Sequence, residues 1–86
     1  MFELGQVVAT RGILNTVPGG IIQTALHRHA HGDWGDVSKE DWIQNDKALA
    51  NGERIISSYR APDGTKFWII TERDRSYTTA LLPEEY

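Results

Sequence analysis

At Arg54 the spacing of apolar residues switches from helical to alternating, and no other feature of the chain constrains its fold as much. Ile55, Ser57 and Tyr59 fall on one face and Ile56, Ser58 and Arg60 on the other, so this stretch reads as a strand. Pro62-Asp63-Gly64 follows it: proline presets the first central position of a type I turn, and glycine accepts the positive φ that closes a hairpin. The turn hands the chain to a second strand, Lys66 to Thr71. Glu72-Arg73-Asp74-Arg75 reads as a charged turn, and Tyr77 to Leu82 as a third strand that Pro83 ends. Strands joined in this way form a mainly antiparallel layer that must bury at least one side.

The first half supplies the cover. Gln6 to Thr10 is a short β-favouring run, stopped by Arg11 and Gly12. Asn15 or Thr16 is placed to cap a helix with Pro18 in its first turn, running to Ala30 with Gly32 as a left-handed stop. At 100° per residue, Pro18, Ile22, Ala25, Leu26 and His29 share one face. Ser38 with Asp41 approximates a capping box for a second helix through Ala50, stopped by Asn51-Gly52. Its apolar side is Trp42, Ile43, Leu49 and Ala50, with Asp46 intruding; Arg54, Arg60 or His29 is the expected partner for that carboxylate. The predicted class is α+β in the order β-α-α-β-β-β, with two helices packed on one face of a mainly antiparallel sheet and the other face partly wet. Eighty-six residues make a single α+β domain spanning 1–86, with no room for a second core.

Charge and composition exclude several functions. Nine Lys and Arg against twelve Asp and Glu give a net charge of -3, which disfavours a dedicated nucleic-acid binder and falls short of a DNA mimic. Without cysteine there is no disulfide frame, thiol nucleophile or cysteine-based zinc site. No apolar run reaches the roughly 18–20 residues of a membrane-spanning helix. Met1 to Gly12 lacks the basic start and apolar block of a secretory signal, so a cytoplasmic location without membrane association is expected.

A frame of short motifs runs through nearly the whole chain: Leu4-Gly5-Gln6-Val7-Val8-Ala9-Thr10, Gly32-Asp33-Trp34-Gly35, Ser58-Tyr59-Arg60, Trp68-Ile69-Ile70-Thr71-Glu72-Arg73-Asp74-Arg75-Ser76 and Leu81-Leu82-Pro83-Glu84-Glu85-Tyr86. It resembles a family of small bacterial proteins found on plasmids, integrative elements and prophages and labelled "plasmid-related protein". The resemblance implies a mobile-element accessory protein. It implies no reaction and no site residues.

Candidate sites are therefore weighed from the residues. His27, His29 and His31 lie close in sequence with Asp33 beyond, but alternating positions on a helix splay apart, so the expectation is a half-buried His29, two solvated histidines and no metal or cofactor. Gly32-Asp33-Trp34-Gly35-Asp36 is either a recognition loop with an aromatic anchor or a pair of Asx turns around a packed indole. Arg60, Lys66, Arg73, Arg75 and Tyr77 suit phosphate chemistry, and the order of elements is similar to that of the ribosome-dependent toxin endoribonucleases; Glu72 and Asp74 dilute the positive field. A nucleotide-type ligand stacked on Trp34, Tyr59 or Trp68 and held by Arg60 or Arg73 is a third reading. The favoured expectation is a non-enzymatic interaction protein that binds a protein partner through Asp33, Trp34, Asp36, Tyr59, Arg60, Trp68 and Arg73. An exposed β edge would also allow a homodimer.

Overall fold

In the computed structural model, which describes residues 1–86, the elements run β1 (Gln6–Ala9), α1 (Arg11–Thr16), α2 (Gly19–Ala30), α3 (Lys39–Asn51), β2 (Ile55–Arg60), β3 (Lys66–Thr71), β4 (Tyr77–Leu81) and a 3₁₀ turn, Pro83–Glu85. The sheet order is β1-β4-β3-β2. β2, β3 and β4 are antiparallel neighbours, whereas β1 joins β4 in parallel. This is the predicted α+β class, with a mixed sheet and one helix more than the pattern suggests.

The added helix is α1. Arg11 and Gly12 do end the strand, but Thr10 then serves as an N-cap, its Oγ1 accepting from the Ile13 amide at 3.3 Å. The same hydroxyl donates to the Glu85 carboxylate at 2.5 Å. Gly12 leaves room for that carboxylate, since a Cβ there would sit 2.3 Å from it and push the Glu85 side chain aside. Pro18 forces Val17 into extended backbone (φ -115, ψ 128), which ends α1 at Thr16. Neither Asn15 nor Thr16 caps the next helix; Pro18 itself occupies the cap of α2, with no side-chain bond. Ser38 caps α3 through the Asp41 amide, and Gly52 ends it in the left-handed region at φ 68.

Ile13 and Val17 from the α1 end and Ile22 and Ala25 from α2 bury Tyr59, Phe67, Ile69 and Ala80, which form the inner face of the sheet. α3 sits differently. Its buried residues are Asn45 and Ala48, while Ile43 and Leu49 are exposed, so the expected apolar stripe is displaced. Ala48 packs with Trp34 and Ile55, with Phe2, Val37 and Trp42 at the margin.

The two outer edges of the sheet are treated in opposite ways. Along β2, the Asn45 side chain copies a neighbouring strand: its Nδ2 donates to the Ile56 carbonyl at 2.7 Å and its Oδ1 accepts the Ile56 amide at 3.4 Å. One step on, the Ser58 amide donates to the Trp34 carbonyl and the Asp36 amide to the Ser58 carbonyl, at 3.2 and 2.6 Å. Gly35 forms the bridge with Ser58 at φ 76, in a space where a Cβ would lie 2.1 Å from the Ser58 carbonyl oxygen. Along β1 no comparable cover exists. Val7 and Val8 are exposed.

Candidate functional site

A polar cleft of about 440 Å³ lies where the N-terminal half of α3 meets the outer face of the sheet. Its floor is Ile56 and Ser58 of β2 with Lys66 and Trp68 of β3, and its wall runs from Asp36 to Asn45. The floor follows from strand alternation, because Ser58 pairs with Trp68 and both point away from the inner core. Arg54 and Lys66 face Asp36 and Asp41 across it, so the lining carries balanced formal charge. Asp36 is held by Arg60 at 3.2 Å. Arg54 donates to the Tyr86 hydroxyl at 2.6 Å and pairs with Glu72 at 3.5 Å. Lys66 and Asp41 have no ion-pair partner. Ser58 is buried, and its Oγ finds no hydrogen-bond partner.

The rest of that outer face is only part covered. Ile70 and Leu81 are buried, Ile56, Trp68 and Thr79 are half-buried, and Val8 and Tyr77 are exposed. The ring of Tyr86 meets Trp68 edge-on with centroids 5.6 Å apart, and the Arg54 guanidinium lies over Tyr86. A partly wet face, as the alternation predicts, is what the fold leaves.

The sequence-predicted site residues separate into four groups. Asp36 and Trp68 line the cleft, with Arg60 at its rim. Trp34 and Tyr59 are withdrawn from the surface, at 0% and 2% exposure, which removes them as contact or stacking groups. Trp34 instead donates its indole N–H to Asp46 at 2.9 Å, so the intruding carboxylate pairs with none of Arg54, Arg60 or His29. Tyr59 donates to the Asp33 carbonyl at 2.7 Å, and burial pushes its hydroxyl up to about 12. Asp33 is a structural anion: Arg28 grips it with two bonds, at 2.8 and 3.2 Å, it accepts the Gly35 amide, and these bonds hold its carboxyl below the ordinary range. Arg73 stands apart, in the turn beyond Thr71, at the end of β3 opposite Lys66. The basic residues considered for phosphate chemistry therefore do not converge, and Arg75 is spent on main-chain carbonyls of Ala48, Glu53 and Glu72.

His29 is fully buried rather than half-buried. It joins a polar relay across the inner face: Ser57 Oγ to Nδ1 at 2.5 Å, Nε2 to Thr71 Oγ1 at 2.8 Å, Thr71 to Thr78 at 2.7 Å, and Thr78 to the Leu4 carbonyl at 2.7 Å. A carbonyl only accepts, and each hydroxyl has one proton to give, so the relay runs one way. Thr78 donates to Leu4, Thr71 to Thr78, His29 Nε2–H to Thr71, and Ser57 to Nδ1. The imidazole is neutral, and burial, aided by the nearby Arg75 charge, lowers its pKa from 6.5 to about 4. Although Ser57 and His29 touch like a nucleophile and its base, both are sealed from solvent at 0% exposure, so no substrate can reach them. On the outer side of α2, His27 and His31 stack with centroids 4.2 Å apart, and no three potential metal ligands come together. No helix is long and apolar enough to cross a membrane.

Of the other cleft residues, the sequence raised Lys66 only as part of a phosphate-binding cluster, Arg54 only as a partner for Asp46 and Asp41 only as a cap residue, and Ser58 left a trace as the outward member of a Ser57-Ser58 pair in an otherwise bulky strand. No protein family, curated protein or solved structure matches the chain.

Proposed function

We propose that this is a non-enzymatic interaction protein of a plasmid, integrative element or prophage, which binds a protein partner through the outer face of its sheet and the adjoining cleft. The supporting observation is the cleft itself. It sets an aromatic floor at Trp68 beside unpaired Lys66 and Asp41, and its balanced charge suits a polypeptide carrying both signs better than a polyphosphate. The remaining expectation, that the 33–36 loop contacts the partner, narrows to Asp36, because the Asp33 carboxylate is held by Arg28 and Trp34 is buried.

The test compares proteins retained from nuclease-treated host extract by the wild type, by Lys66→Glu and by Arg73→Glu. Lys66 is exposed in the cleft, and Arg73 is exposed at the far end of the same strand. A partner lost with Lys66→Glu and kept with Arg73→Glu supports the reading. Equal retention by both variants, or no retained protein, overturns it.

A further inference from the structure

The bare edge of β1 offers a second surface, independent of the cleft. In a parallel ladder, alternate residues of one strand make both bonds to the neighbour. The Gln6 amide donates to the Ser76 carbonyl at 3.0 Å and the Thr10 amide to the Ala80 carbonyl at 3.1 Å, so residues 6, 8 and 10 face β4. Val7 and Ala9 consequently turn their amides and carbonyls outward, and no backbone or side-chain group of the protein meets them.

We infer that this edge pairs with the same edge of a second copy, β1 antiparallel to β1, joining two four-stranded sheets into one. The strand is complementary to itself. With the two-fold axis at Val8, Val7 of each copy lies opposite Ala9 of the other, and each such pair exchanges two hydrogen bonds, so that all four outward groups on each strand are satisfied. Val8, 43% exposed on the outer face, meets its own counterpart across the axis, and Gln6 stands opposite Thr10 on the same face. No charge opposes this. Gln6-Val7-Val8-Ala9-Thr10 contains no Lys, Arg, Asp, Glu or Pro, the residues that ordinarily keep an edge strand from pairing. A second copy brings an edge equally free of charge and proline, in a register that leaves no outward group of Val7 or Ala9 unpaired.

Four main-chain bonds and a small apolar contact make a reversible dimer that depends on protein concentration. The test needs no partner protein: analytical ultracentrifugation across about a hundredfold dilution, together with amide exchange read by NMR. The expected mass rises toward twice 9.7 kDa at high concentration. Over the same range the Val7 and Ala9 amides slow by about tenfold or more, while the Val8 amide, already bonded to β4, changes little. Val8→Lys places two ammonium groups face to face at the axis and should return the protein to a monomer with its melting curve intact, whereas Val8→Thr keeps the dimer. A monomer at every concentration overturns the inference. So does a dimer in which Val7 and Ala9 stay unprotected, or one that survives in a folded Val8→Lys protein.

Discussion

The two edges of this sheet show two answers to the same problem. A terminal strand carries a row of unmet amides and carbonyls, and the chain closes that row at β2 while leaving it open at β1. At β2 the closing groups come from the Asn45 side chain and the backbone of Trp34 and Asp36, held in place by the buried indole, the Arg28 grip on Asp33 and a glycine that lets the chains approach. At β1 nothing is spent. The difference teaches that the 33–36 loop, which reads from sequence as a recognition element, is first a guard for an edge.

The largest expected effect breaks the guarded edge. Trp34→Ala removes a wholly buried indole and leaves Asp46 without its partner, which should cost about 3–5 kcal/mol in chemical denaturation. In whatever folded protein remains, exchange should quicken at the Ser58 amide and stay unchanged at Val7. If stability holds and only partner capture suffers, the loop is a contact after all.

A second measurement probes what ties the edges together. His29 is neutral and buried, and its pKa stands at about 4 against 6.5 when free, so the unfolded chain binds the extra proton first as pH falls. Its contribution to stability is therefore complete above pH 6.5 and is lost on acidification between 6.5 and about 4, to the extent of about 3 kcal/mol. Below that window the lowered carboxyls of Asp33 and Glu85 take over the acid loss. Denaturation midpoints followed against pH should show the slope, and His29→Gln should flatten it; an equal slope in both proteins would remove His29 as the cause.

The smallest effect sharpens the comparison most. Asn45→Ala strips the side-chain strand from β2 and should cost about 1–3 kcal/mol, the penalty of leaving main-chain groups unmet. Exchange at the Ile56 amide would then approach that of the bare Val7 amide. Continued protection at Ile56 would mean that α3 covers the edge without needing the amide.

Local signals made the second half of the molecule legible. The alternation in β2 and β3, the Pro62-Asp63-Gly64 turn, with Gly64 at φ 92, and the caps at Ser38 and Gly52 all depend on residues a few positions apart. What was not legible depends on residues far apart. The hydroxyl that caps α1 is held by the Glu85 carboxylate, 75 positions from Thr10, and the displaced stripe of α3 arises because Asn45 answers a strand edge rather than a core. The cleft draws one charge from the start of α3 and another from the start of β3, and no single window of sequence holds both. His29 was legible as an apolar-face residue. Its partners were recoverable too, since Ser57, Thr71 and Thr78 all fall on the inward side of their strands.

The Ser57-His29-Thr71-Thr78-Leu4 relay has a consequence for how faithfully the strands find their alignment. It draws one member from each of β2, β3 and β4 and one from the residues just ahead of β1, and it is satisfied in a single arrangement. Sliding any of these strands by one position would turn its hydroxyl to the opposite side of the layer and strand a histidine nitrogen or a hydroxyl in an apolar interior. The relay thus acts as a key cut across the sheet, rejecting misaligned forms that the largely interchangeable Ile, Val and Ala contacts alone would tolerate.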